Sequence, residues 1–205
     1  ITRQTDPGQP QMIQQNEQSM LLKVMNLAPG DARGVYKNTN YDMRQYKRLQ
    51  MFVHAEELIN DETNLQDNEL TCFVRMGSDM VNNYYEYEVP LVLTPHGIYS
   101  SSSLKDRNTV WDPQNMIDFP FDVLTDIKLK RNRSNASKLE RYTESDPNKP
   151  RNSITVVGNP SIAEVENLMI GIRNQSNNIK TAEIWVNELR MSQFNEESGW
   201  AAMAN

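Results

Sequence analysis

Residues 47–58 read KRLQMFVHAEEL, and they alternate. Leu49, Met51, Val53 and Ala55 share one side; Gln50, Phe52, His54 and Glu56 share the other. A period of two is the signature of a β-strand with one buried face. The same pattern returns in ELTCFVRMG, residues 69–77, where Leu70, Cys72, Val74 and Met76 oppose Thr71, Phe73 and Arg75. It returns again in YYEYEVPLVLT, residues 84–94, with Tyr85, Tyr87, Val89 and Leu91 inward and a strand expected over Tyr84 to Leu93. Pro90 has no N–H to donate, so it belongs at an edge or a bulge. Polar loops such as INDETNLQDNE, residues 59–69, separate these runs.

The pattern extends outward in both directions. SMLLKVMNL suggests a strand from Leu21 to Leu27, and a Pro29-Gly30 turn leads to another over Ala32 to Lys37. Near the C-terminus, strands are expected at Ile154 to Val157, through Leu168, Ile170 and Ile172, and through Ala182, Ile184 and Val186. Leu189 and Met191 have the opposite parity to Ala182, which predicts a bulge near Asn187. One helix is expected in DFPFDVLTDIKLKRNRSN, residues 118–135. Pro120 would sit in its first turn, with Phe121, Leu124, Ile127 and Leu129 as its stripe. Residues 95–118 read as irregular and 132–152 as a mobile loop. About eight strands and one helix, alternating as antiparallel strands do, predict a mainly β fold: an antiparallel β-sandwich of jelly-roll type with one short helix. Residues 1–17, rich in Gln and Pro, read as a flexible N-terminal linker. Residues 18–192 read as a single β-sandwich domain and 193–205 as a C-terminal segment.

Composition narrows the function. The chain has 205 residues, a formal net charge of −6 and one cysteine. An acidic balance does not suit a nucleic-acid backbone, so no nucleic-acid partner is expected. A single Cys72 excludes an internal disulfide and a thiolate zinc cluster, and its apolar setting predicts a core thiol. No run approaches the ~18–20 apolar residues of a transmembrane helix, and residues 1–11 have no signal-peptide core. A chain beginning at Ile1 reads as a fragment of a longer protein or a processed form.

Catalytic signals are absent from the sequence. His54 and His96 stand alone, the first solvated or cross-strand paired and the second exposed in a turn, so no metal site is expected. There is no phosphate-cradling glycine loop and no nucleophile elbow. Asp61, Glu62, Asp67 and Glu69 crowd one loop, where oxygen ligands suit calcium; the plainer reading is a solvated loop. Glu86 and Glu88 share the outer face of a strand about 7 Å apart by strand geometry, a spacing glycosidase pairs also use. Their expected exposure argues for a solvated pair. No catalytic, cofactor or metal residue is assigned, and no enzyme is expected.

Trp111, Trp185 and Trp200 are able to stack on sugar rings. Trp185 points outward on its strand with Asn187 beside it, and Phe52 and Phe73 also take the polar side of theirs. Phe52, Phe73, Trp185 and Asn187 therefore form the candidate partner or glycan surface. The helix or the long loop is expected to cover Trp185.

Several stretches carry a family resemblance. They are GNPS at Gly158 to Ser161, MIGIRN at Met169 to Asn174, WVNELR at Trp185 to Arg190 and GWAA at Gly199 to Ala202. PGDARGVYKNTN and YDMRQYKRLQMFVHAE lie upstream. Together they resemble the SprA/Sov family, the outer-membrane translocons of the type IX secretion system. The likeness spans most of residues 29–202 and is thinnest at 130–150. It implies a large outer-membrane barrel that passes folded cargo and supports gliding motility. This chain would be a non-catalytic insertion domain of that barrel, in the periplasm or at the cell surface. After GWAA the chain would re-enter the barrel. Its partners would be the parent barrel, other type IX components or cargo proteins. The alternative is a carbohydrate-binding jelly-roll module.

Overall fold

The structure, a computed structural model, describes residues 19–60 and 62–194. Ten strands and two α-helices, with a 3-10 turn at Met43–Gln45, follow one another along it. The strands are β1 (Met20–Leu27), β2 (Ala32–Tyr41), β3 (Tyr46–Glu56), β4 (Leu70–Gly77), β5 (Tyr84–Pro90), β6 (Ile117–Pro120), β7 (Tyr142–Ser145), β8 (Ser153–Val157), β9 (Val165–Asn174) and β10 (Lys180–Phe194). Helix α1 (Leu104–Val110) precedes β6, and α2 (Asp122–Arg133) follows it. The four-stranded sheet runs β1-β10-β3-β6 and the six-stranded sheet β2-β9-β4-β5-β8-β7. Every pairing is antiparallel.

Setting aside the β7–β8 hairpin, the pairs are β1 with β10, β2 with β9, β3 with β6 and β4 with β5. Strands equally far from the two ends of this series pair with each other, and successive pairs alternate between sheets. That is one long hairpin rolled into a sandwich, the expected jelly roll. β8 and β7 extend the second sheet, and α2 packs against β8.

The inward faces match the alternation. Leu49, Met51, Val53 and Ala55 are buried on β3, Leu70, Cys72, Val74 and Met76 on β4, and Ala182, Ile184 and Val186 on β10. Tyr87 from one sheet stacks on Phe119 from the other at 4.2 Å, and Phe119 meets Phe121 edge-on. The Tyr87 hydroxyl donates to Asp146 at 2.5 Å and accepts from Asn152. A buried phenol tip thus keeps its polar partners while its ring fills the core.

The bulge on β10 is where parity placed it. Its register against β3 shifts between Asn187 and Arg190, and Glu188 takes φ 51°. The Asn187 Oδ1 accepts from the Glu188 N–H at 2.9 Å.

Other boundaries differ from expectation. β5 ends at Pro90, short of Leu93: the Leu91 N–H still donates to Leu70 O, but beyond it the N–H groups turn to side chains, Val92 donating to Asn115 Oδ1 and Leu93 to Asp67 Oδ1. β8 pairs only Tyr84 to Glu88, so the missing N–H of Pro90 leaves no ladder bond unmade. Pro120 closes edge strand β6 instead of opening a helix, and α2 starts at Asp122. Leu129 is exposed, so it leaves the stripe of Phe121, Leu124 and Ile127. The segment read as irregular holds α1. The Ser103 side chain caps that helix by accepting from the Asp106 N–H, the first half of a capping box. The segment read as a mobile loop holds β7. β10 runs on through residues 193 and 194. The proposed linker and GWAA lie outside the described residues.

Candidate functional site: an aromatic cleft on the four-stranded sheet

The outer face of the four-stranded sheet is built from the polar-side residues of β3 and β10. Trp185 lies opposite Leu21 on one flank and His54 on the other. One row over, Glu183 lies between Lys23 and Glu56, and Asn187 opposes Phe52. The long connection from β5 to β6 folds back across this face. The Thr94 N–H donates to Ala55 O at 2.8 Å, which anchors the connection to β3. Trp111, at the end of α1, then packs edge-on against both Phe52, at 6.2 Å, and His54, at 6.0 Å.

His54 is therefore buried, not solvated. Its Nδ1 lies 2.7 Å from the Val110 carbonyl, which only accepts, so Nδ1 carries the proton. The Thr94 hydroxyl lies 3.0 Å from the same nitrogen and reaches Thr109 O at 3.2 Å. Nε2 faces outward, 3.5 Å from Glu56 Oε2. His96 is exposed, as its turn predicts.

A cleft of about 680 Å³ opens over these groups. Trp185, Trp111, Tyr99 and Ile59 wall it, and His54 and Glu56 supply its polar floor. Its volume falls in the range of small-ligand sites, which are mostly apolar with a few placed polar groups. Trp185 stays 37% exposed, so the connection covers Phe52 and His54 but leaves this indole open.

The four surface residues expected together do not share one place. Phe52 and Trp185 lie on this face, with Phe52 under Trp111. Asn187 is nearly buried, and its Oδ1 is held by the bulge. Phe73 lies on β4, in the other sheet, and is buried. Its ring covers Gly171, where an added Cβ would come within 2.2 Å of Phe73 Cζ. The guanidinium groups of Arg75 and Arg173 sit over the ring at 5.4 and 4.9 Å.

Glu86 and Glu88 are not a solvated pair. Both are buried on the outer face of the six-stranded sheet. Arg75 Nη2 and Arg141 Nη2 each approach Glu86 at 2.6 Å, and Arg173 Nη2 lies 3.0 Å away. Glu88 pairs with Arg173 and accepts from the Thr71 hydroxyl. Burial pushes the Glu86 carboxyl up, but Arg173, Arg141 and Arg75 more than offset it and hold it below the usual carboxylate value. This lattice, which joins residues up to 102 apart in the chain, is a structural cover for the sheet.

The acidic loop also has other uses. Glu69 pairs with Lys180 at 2.5 Å and accepts from the Gln66 N–H, while Asp67 caps Leu93. Asp61 lies outside the described residues, as does Trp200. Burial pushes the Cys72 thiol far up, away from nucleophilic use.

Residues 1–205 match the SprA_N family, described as motility related/secretion protein. The chain belongs to the SprA_N family. The match covers residues 130–150 and the N-terminal residues, which the quoted motifs left thin or untouched. Comparison with curated proteins finds no match. A SprA_N chain with this structure has a role related to motility and secretion. Among its described residues no helix is long and apolar enough to cross a membrane, which says nothing of strands in a barrel.

Proposed function

We propose that this chain is a non-catalytic interaction domain of a type IX outer-membrane translocon, docking cargo or accessory subunits through the aromatic cleft. It would stand in the periplasm or at the cell surface beside its parent barrel. The observation that carries this reading is the match to a motility and secretion family over the whole chain. The cleft supports it locally, because a half-open tryptophan beside a partly apolar hollow suits docking. The test is a photo-crosslinking residue at Trp185 in the cell-borne parent protein. Adducts with secreted cargo or an outer-membrane secretion component are expected. Adducts no different from those formed at exposed Leu139 would overturn the reading.

A carbohydrate-binding module is the second reading. Trp185, Trp111 and Tyr99 around a carboxylate would also suit a sugar ring. Retention of the chain on a neutral polysaccharide gel, lost in Trp185→Ala, would favour it.

A further inference from the structure

The cleft carries a charge pattern that selects its ligand. Its polar groups are His54 Nε2, on the ring whose Nδ1 donates to the Val110 carbonyl, and the Glu56 carboxylate 3.5 Å away. Among the described residues, neither a lysine nor an arginine lines the cleft. The neighbouring carboxylate, Glu183, is already paired with Lys23 at 2.9 Å. Among the described residues no Lys or Arg lies within salt-bridge reach of Glu56. Glu56 therefore stands without a lysine or arginine partner in a hollow walled by aromatic side chains.

We infer that the cleft binds a cationic side chain, an arginine or lysine presented by a segment of a partner protein. This rests on the reading of the cleft as an interaction site and names what it recognises. Trp185 and Trp111 would flank the alkyl stem and cation, since an indole face attracts a cation within about 6 Å of its ring centre. Glu56 would take the ion pair. A guanidinium offers five donors in a planar fork and an ammonium three, which suits a carboxylate acceptor. The overall net charge of −6 would draw a basic segment in. Trp185 contributes open surface to the contact, and Trp111 is held in place by Phe52 and His54 beneath it.

The experiment uses the 205-residue chain, labelled with nitrogen-15, and capped pentapeptides Gly-Gly-X-Gly-Gly. X is arginine, lysine, citrulline or norleucine, and a neutral hexasaccharide of N-acetylglucosamine forms a fifth arm. The indole N–H signals of Trp185 and Trp111 report binding. The arginine and lysine peptides are expected to shift both signals, at least tenfold more tightly than citrulline, which keeps the shape and loses the charge. Glu56→Gln should erase that preference while leaving the spectrum of the core unchanged. Trp185→Ala should weaken the arginine peptide by a similar factor. Equal binding of citrulline and arginine, shifts at other residues only, or tighter binding of the hexasaccharide would each overturn the inference. Cross-linking at Trp185 that captures a secretion component, together with equal peptide binding, would retain the docking role and discard the cationic ligand. The reverse result would retain the ligand and discard the translocon role.

Discussion

Arg75 and Glu86 face each other across β4 and β5, with Nη2 2.6 Å from Oε2 and no water-exposed surface left on the carboxylate. Arg141 and Arg173 complete the cover. Removing the carboxylate leaves three guanidinium groups without their shared partner. Breaking a buried pair from one side costs roughly 3–5 kcal/mol. Glu86→Gln is therefore expected to lower the urea-derived stability at pH 7 by a few kcal/mol. The pH dependence has a definite sign. The folded-state pKa lies below the ordinary 4.5, so the stabilisation is complete above about pH 4.5 and is lost as pH falls through the folded value. Other carboxylates titrate there too, so the gap between wild type and Glu86→Gln is the quantity to follow. It should narrow on acidification, and a gap constant from pH 7 to pH 3 would deny the network its role.

Gly171 holds Phe73 flat against the sheet. A methyl at Gly171 would collide with the ring and with the Arg33 carbonyl. Overpacking of this kind costs about 1–3 kcal/mol. Gly171→Ala should reduce the melting temperature. Combined with Phe73→Ala, which is itself destabilising, it should cost much less than alone. A strictly additive double mutant would show that the ring does not rest there.

Arg131 is wholly buried in α2, and among the described residues its Nε and Nη1 find no acceptor. Lys128 nearby has its pKa lowered by burial, then by Arg131 and Lys138. Nη2 alone is partnered, donating to Asn132 Oδ1 at 3.2 Å, and a buried charge with two unsatisfied donors favours the unfolded state. Arg131→Met, similar in reach but uncharged, should leave stability unchanged or raise it by about 1–2 kcal/mol. Leu124→Ala in the same helix should lower it by about 2–5 kcal/mol. Thermal denaturation of both variants checks the contrast, and a large loss in Arg131→Met would contradict it.

Cys72 should resist thiol reagents. It is buried between the sheets, and burial raises its thiol far above neutrality. A coloured disulfide reagent should react with none of the native protein on a timescale of minutes and with one thiol per chain in denaturant. Rapid native labelling would mean that the sheets part readily.

The inner half of this fold was legible in the alternation, and the outer half was not. Parity put Leu49, Cys72, Tyr87 and Ile184 in the core because a strand has only two faces. Parity within a strand does not say which sheet the strand joins, so Phe73 was grouped with Phe52 and Trp185. It does not say what covers a polar face either. Glu86 and Glu88 read as solvated because the arginines that bury them lie on β4, β9 and the start of β7's approach, at positions no local spacing connects. α1 has apolar residues only at its two ends, Leu104 and Val110, and no apolar stripe, yet Ser103 and Asp106 stand at capping-box spacing and mark its start. Of the candidate site, Trp185 and Phe52 were visible as outward aromatics. His54 and Glu56 share Phe52's side of β3, and the pairing of β3 with β10 set them beside Trp185; Trp111 joined them only through the fold of the β5–β6 connection.

The most direct measurement is cargo secretion in cells whose parent protein carries Trp185→Ser and Glu56→Gln, with the variant present at normal levels. A several-fold fall in secreted cargo is expected, with wild-type secretion retained in a Leu139→Ser control. Full secretion by the double variant would contradict a docking role for the cleft.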